Sequence, residues 1–193
     1  MTTLTQPATL LTPEEYLAAE REAETRSEYV DRVVYPMTGA QINHVKIVTN
    51  LIIELGLQFR GRQYSVLAVD MKVRMPDSRK YFYPDIVIVG DDPQFHDDRK
   101  DIILNPVLLI EVLSKSTESF DRGLKFQAYQ QVPSLREYLL VAQDEPSVEQ
   151  YVKQDDGTWK YKAVAGREAS LALPSVGCTL NLGTVYDKVD WTD

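Results

Sequence analysis

Apolar residues recur along this chain with two periods, and the switches between them divide it into helices and strands. From Ala40 to about Arg60, the residues Val45, Val48, Ile52, Leu55 and Phe59 fall three or four positions apart, which predicts an amphipathic helix with one buried face. Within Tyr64 to Met75 the period drops to two. Met71, Val73 and Met75 alternate with Asp70, Lys72 and Arg74, as in a half-exposed strand, and Pro76-Asp77-Ser78 supplies the turn after it. Phe82 to Val89 and Val107 to Ser114 are apolar without alternation, which predicts central strands covered on both faces. The polar, Asp-rich segment Gly90 to Asn105 between them reads as a surface loop. A helix from about Ser119 to Gln131, ended by Pro133, and a buried strand from Glu137 to Ala142 complete the middle of the chain.

The flanks follow the same logic. Thr12-Pro13-Glu14-Glu15 predicts a helix start, with Thr12 as cap, Pro13 in the first turn and Glu15 closing a capping box, and the helix runs to about Ala23. Residues 1–11 are small and unpatterned and read as a flexible tail. Ser27 to Val30 and Val33 to Met37 form a hairpin around Asp31-Arg32. Val148 to Val152 and Trp159 to Val164 form a second through Asp155-Asp156-Gly157. Ala169 to Leu173 and Gly177 to Leu182 are weaker strand candidates. Helix, three strands, helix and strand in that order imply an α/β domain spanning 12–193, with a mixed central β-sheet flanked by helices, an N-terminal helix and hairpin, and a C-terminal β-hairpin extension.

Composition narrows the chemistry. A chain of 193 residues with 44% hydrophobic and 26% charged residues has the make-up of one packed domain. No stretch approaches the roughly 18–20 apolar residues of a membrane span, so a cytoplasmic protein is expected. Cys178, His44 and His96 are the only cysteine and histidines, which excludes an internal disulfide and a Cys/His zinc cage and leaves oxygen as the main donor to any metal. The net charge of −8 argues against a protein that coats nucleic acid by general electrostatics. A local basic face remains open through Arg60, Arg62, Lys72, Arg74, Arg79 and Lys80, as does a solvated strand edge with the same charges.

Two carboxylates stand where the pattern calls for apolar residues. Asp85 opens Ile86-Val87-Ile88-Val89, and Glu111 interrupts Val107 to Leu113. A buried ionised carboxylate must be paired, metal-bound, protonated or placed at an open strand end. An ion pair to a strand-facing Arg would satisfy either residue alone. Phosphate-cradling glycine loops, a Gly-x-Ser-x-Gly elbow and a His-Glu-x-x-His helix are all missing from the sequence. A glycosidase pair would need sugar-binding aromatics that the chain does not offer.

Pro84-Asp85 followed by Glu111-Val112-Leu113 in this element order resembles the core of PD-(D/E)XK nucleases. More closely, Tyr83 to Val89, Glu111 to Ser114 with Ser116-Thr117, Asp121 with Lys125 and Tyr129, and Pro133 to Val141 resemble the Uma-type restriction endonuclease-like family, over roughly residues 12–185. The resemblance implies a restriction-endonuclease-like core and phosphodiester hydrolysis, with nucleic acid, DNA above all, as partner. It also implies a Mg2+ or Mn2+ site with Asp85 and Glu111 as ligands. Leu113 departs from the pattern, since a Lys normally stands there to orient water and stabilise the phosphate. Lys125 matches the place to which that Lys has moved in related branches, and Lys115 is a lesser candidate. Glu28 and His44 also match family positions, Glu28 as a third carboxylate and His44 as a group that orients water or contacts phosphate. Asp70 reads as a supporting residue or a charged edge position. The alternative reading is a non-catalytic binding module that keeps the nuclease fold. A homodimer is expected from the apolar Val148 to Val164 hairpin and from the two sites that double-strand cleavage requires.

Overall fold

The computed structural model describes residues 10–37, 39–68, 70–77 and 79–191. Residues 1–9 of the expected tail and Ser78 of the expected turn lie outside these. The fold begins with α1 (Pro13–Glu22), whose start is the capping box read from the sequence: Thr12 Oγ1 accepts from the Glu15 N–H, and the Glu15 carboxylate accepts from the Thr12 N–H. Tyr16, Leu17 and Glu20 form its buried stripe.

β1 (Ser27–Val30) and β2 (Val33–Pro36) pair as the first hairpin, with Asp31 and Arg32 at φ 47° and 78° in the turn. α2 (Ile42–Gln58) follows, and its inward face carries Ile47, Val48, Leu51 and Leu55. The expected single strand from Tyr64 to Met75 is two strands in different sheets. β3 (Ser65–Ala68) and β4 (Lys72–Arg74) are separated where Asp70 adopts φ 66°, a left-handed conformation that ends the extended run.

The expected strand from Phe82 to Val89 divides in the same way, into β5 (Lys80–Phe82) and β6 (Ile86–Val89). Pro84 stands between them and has no N–H for a ladder, so the chain leaves one sheet and enters the other there. The expected loop from Gly90 to Asn105 contains a two-residue strand, β7 (Ile102–Ile103), parallel to β4.

β8 (Leu108–Leu113) is buried at every position. The expected helix after it is composite: α3 (Glu118–Phe120) passes through a π-helical segment, Asp121–Lys125, into α4 (Phe126–Tyr129). β9 (Glu137–Ala142), β10 (Ser147–Lys153) and β11 (Trp159–Ala165) continue the sheet, and β12 (Ser170–Leu173), β13 (Cys178–Asn181) and the short α5 (Leu182–Val185) close the chain.

The central sheet has six strands in the order β11-β10-β9-β8-β6-β3, mixed because only β8 and β9 run parallel. Thus α2, β3, β6, β8, the α3–α4 helix and β9 are the predicted helix-strand-strand-strand-helix-strand core, and the β10–β11 hairpin extends its sheet. The period of two sorts side chains between two cores. Ile86, Ile88, Leu108, Ile110, Val112, Leu139 and Val141 meet α2 and the C-terminal elements, while Val87, Val89, Leu109, Leu113, Tyr138 and Leu140 meet α4 and the second sheet. That second sheet, β2-β1-β5-β4-β7, stands at the end of the first where Pro84 joins them. No described helix is long and apolar enough to cross a membrane.

Candidate active site

The change of sheet at Pro84 sets Asp85 at a bend just before β6, next to the point where β6 and β8 pair antiparallel through Ile86 and Ile110. One more step along that register brings Asp85 beside Glu111. The Asp85 carboxylate uses both oxygens. Oδ2 accepts the Val112 backbone N–H at 2.7 Å, and Oδ1 lies 3.1 Å from His44 Nε2 in the first turn of α2. Asp85 therefore ties the two central strands to the helix that covers one face.

Glu111 shares a face of β8 with Leu109 and Leu113, on the side away from α2 and toward the composite helix. Its Oε1 accepts from Lys125 Nζ at 3.1 Å and from the Tyr129 hydroxyl at 2.9 Å. Lys125 Nζ is also 2.9 Å from Glu28 Oε1 on β1 and 3.2 Å from Asp121 Oδ1 one helical turn back. Glu28 Oε1 accepts in addition the backbone N–H of Tyr83 at 3.0 Å. One ammonium thus joins the second sheet, the central sheet and the composite helix, and Glu28, Glu111, Asp121 and Lys125 are all buried.

The local sequence explains this convergence. Asp121, Lys125 and Tyr129 repeat every four residues, so an ordinary helix would already bring them near one another. The π segment widens the turn between Asp121 and Lys125, and both side chains are buried against the sheet. Asp121 Oδ1 nevertheless has no hydrogen bond among the described residues; its contact with Lys125 is an ion pair without hydrogen-bond geometry.

The electrostatics follow from burial and crowding. Burial, with Asp121, Asp85 and Glu28 adding to it, holds the Glu111 carboxyl well above its usual range although Lys125 pulls it down. Glu28 is raised for the same first reason. Burial would push the Lys125 ammonium down, but Glu111, Glu28 and Asp121 outweigh it and hold it well above the ordinary lysine value. At His44, burial pushes the imidazole down and Asp85 pushes it up further, so it titrates above an ordinary histidine. Four carboxylates therefore face one lysine and one histidine.

The all-oxygen donor set suits a hard divalent cation in kind, with Lys125 Nζ already within 3.2 Å of Glu28, Glu111 and Asp121. Among the described residues no group of three or more His, Cys, Asp or Glu side chains is placed to hold a metal ion, and Lys125 Nζ lies between Glu28, Glu111 and Asp121.

Of the residues expected from sequence, Glu28, Glu111 and Lys125 come together directly, while Asp85 and His44 form a separate pair on the α2 side. Asp70 is exposed and pairs with Arg26 at 3.1 Å, and Lys115 is exposed. Of the basic run, Arg60 is exposed and the others are engaged. Lys72 is buried, with Nζ over the rings of Tyr16 and Tyr83, Arg62 donates to the Val176 and Gly177 carbonyls, Arg74 meets His96 Nδ1, and Arg79 and Lys80 pair with Asp31 and Asp77.

A supporting layer went unread in the sequence. Glu20 accepts from the Tyr83 hydroxyl at 2.9 Å and from the Ser27 N–H at 3.0 Å, which steadies the segment whose backbone holds Glu28. Its signal was present, because Glu20 lies on the helical stripe of Tyr16 and Leu17.

Comparison with known proteins agrees with this architecture. Residues 13–183 match the Uma2 family, described as "Putative restriction endonuclease". Two uncharacterized proteins of Synechocystis are similar along most of their length. One, sll1609, is 37% identical over 162 residues, 84% of this chain and 92% of its own; the other, slr1290, is 35% identical over 184 residues, 93% of each chain. A crystal structure described as a "putative nuclease belonging to DUF820" from Anabaena variabilis superposes with a TM-score of 0.75 at 17% identity, covering 92% of this chain and 98% of that one, and so shares the fold. The chain belongs to the Uma2 family of restriction endonuclease-like proteins.

Proposed function

We propose that this chain is a divalent-metal-dependent endonuclease that hydrolyses phosphodiester bonds in DNA, with Asp85 and Glu111 holding Mg2+ or Mn2+ and Glu28 as an additional carboxylate. The observation that supports it best is the buried Lys125, within 3.2 Å of Glu28, Glu111 and Asp121. Mg2+ sites commonly use one or two carboxylates and keep their waters, so two acids would suffice. When bound, such an ion polarises a phosphoryl oxygen and makes water a better nucleophile.

The chain's own groups supply the rest. Lys125 stands in for the Lys missing at Leu113 and offers its fixed positive charge to the phosphate oxygens as negative charge builds in the transition state. Asp121 and Glu28 keep that ammonium protonated and aimed. Tyr129 fixes the rotamer of Glu111 through its hydroxyl. His44 is held by Asp85 through Nε2, so a proton would be exchanged at its other ring nitrogen, Nδ1.

The test is incubation with supercoiled, linear and single-stranded DNA in Mg2+ or Mn2+, beside an Asp85→Asn protein prepared identically. Metal-dependent cleavage by the wild type, absent in Asp85→Asn and after chelation, is expected. No cleavage of any substrate by folded protein would favour the binding-module reading, and equal cleavage by Asp85→Asn would overturn the assignment of the site.

A further inference from the structure

β2 is an edge strand of the second sheet, and its register decides what stands beside the buried cluster. Glu28 on β1 pairs with Tyr35 on β2, and directly opposed residues of an antiparallel pair project from the same face. On that face Glu28 reaches inward to Lys125 at 2.9 Å, while Tyr35, at the edge of the sheet, stays 41% exposed. The Tyr35 ring lies 5.7 Å from that of Phe120, the last residue of α3, with the planes tilted by 37°. Phe120 is half-buried, and Lys125 Nζ stands 5.8 Å from its ring centroid. From solvent inward the order is therefore Tyr35, Phe120, ammonium and carboxylates. Met37, two positions beyond Tyr35 and tied by its N–H to the Arg26 carbonyl at 2.9 Å, continues the same face and is also exposed. Among the described residues Tyr161 is the other exposed aromatic, and it stands against Tyr151 on the edge strand β11 of the central sheet.

We infer that Tyr35 and Phe120 form a stacking platform for one base of a DNA single strand whose adjoining phosphate lies at the Lys125 cluster. The inference rests on the nuclease reading of that cluster and adds which form of DNA it takes. A base within a duplex is paired at its edge and stacked between its neighbours, so neither of its faces is open to a side-chain ring. An unpaired base offers its face freely.

Stacking suits this chain for a second reason. It draws on the π face of a base and not on charge, whereas a chain of net charge −8, with the lysine of its site buried among three carboxylates, has little long-range attraction for phosphate there. Tyrosine presents a large flat surface with few torsions to order. A purely structural ring contact, tying α3 to the first hairpin, would leave the outer face of Tyr35 without a use and would not respond to the presence of bases.

That difference gives the test. Fluorescence anisotropy is followed in buffer with a chelator, so that nothing is cut, for a short labelled oligothymidylate, for a strand of the same length whose sugars carry no bases, and for the oligothymidylate paired with its complement. The wild type is expected to bind the single strand about 5–150-fold more tightly than the baseless strand, the effect of stacking one base, and more tightly than the duplex. Tyr35→Ala is expected to lose that preference with an unchanged circular dichroism spectrum, and Tyr35→Phe, which keeps the ring, to retain it. Equal wild-type affinity with and without bases, no affinity for either strand, or tighter binding of the duplex overturns the proposal, as does a Tyr35→Ala protein that keeps the preference. Cleavage assays in Mn2+ separate this from the reading it rests on. Base-dependent binding without cleavage of any DNA keeps the platform and removes the nuclease, whereas Tyr35→Ala cleaving single strand and duplex as the wild type does removes the platform and keeps the nuclease.

Discussion

A single lysine decides both the chemistry and the stability of the buried cluster. Lys125 is the one ammonium among Glu28, Glu111 and Asp121, so removing it leaves carboxylates in a low-dielectric site without their cation. Breaking a buried ion pair on one side costs about 3–5 kcal/mol. Lys125→Ala is therefore expected to lower the urea midpoint strongly in metal-free buffer, and Mn2+ is expected to restore more of the loss than it adds to the wild type, because the divalent ion replaces the missing charge. Cleavage is expected to fall about 10²–10³-fold, the usual cost of losing one transition-state charge donor. Wild-type cleavage in Lys125→Ala would show that the ammonium only balances charge. A variant as stable as the wild type without metal would show that the carboxylates carry protons instead.

Elements were legible in the sequence where one periodicity ran unbroken, and illegible where two elements shared one apolar run. The capping box at Thr12 and Glu15 and the face of α2 needed no tertiary context. Phe82 to Val89 looked like one strand because both halves are apolar. Only Pro84 marks the change of sheet, and that change exposes the Asp85 bend. The π turn was hidden because Asp121, Lys125 and Tyr129 keep a spacing of four whether or not the turn is widened. Lys125 was legible as a candidate from that spacing, whereas its contact with Glu28 depends on a second sheet whose position no local pattern encodes. The two-residue β7 is too short for any period, and what fixes it is partly electrostatic. Arg21 of α1 holds Asp101 at 2.8 and 3.1 Å and Asp97 at 2.7 Å, pinning the loop against the helix. Burial raises the Asp101 carboxyl and Arg21 more than reverses this, while at Asp97 Arg21 is the leading cause, so both lie below the usual 3.8. Groups lowered on folding add stability that is present above 3.8 and lost as pH falls through their folded values. Arg21→Ala is expected to be less stable near neutrality and to lose less stability between pH 5 and pH 2, read from urea midpoints. Parallel wild-type and variant curves would mean that solvent screening has already cancelled the pairing.

At the scale of the whole molecule, the problem is how a chain of net charge −8 meets a polyanion. Affinity for duplex DNA ordinarily comes from released counterions, with a salt slope of about −0.9 per phosphate neutralised. Nine of the 21 cations are already engaged or buried within the chain, while others, among them Arg32, Arg60, Lys115, Arg136, Lys160 and Lys162, are exposed. Arg21, Arg26, Arg79, Lys80 and Arg122 are each paired with carboxylates of the same chain, Lys72 and Lys125 are buried, and Arg62 and Arg167 are bound to backbone carbonyls. The proposed metal would then serve binding as well as chemistry, bridging the excess carboxylates to the phosphate. Two consequences separate this from a basic-groove protein. In anisotropy titrations of a short duplex with Asp85→Asn, where the metal is weakened, affinity is expected to fall well below the wild type in Mn2+. With the wild type in Mn2+ held constant, the slope of log affinity against log monovalent salt is expected to be about −1 to −3, the value for one to three phosphates. A slope near −6 would show instead that the exposed cations carry the binding. Tight metal-independent binding would remove the need for the cation and turn the acidic cluster into a structural device.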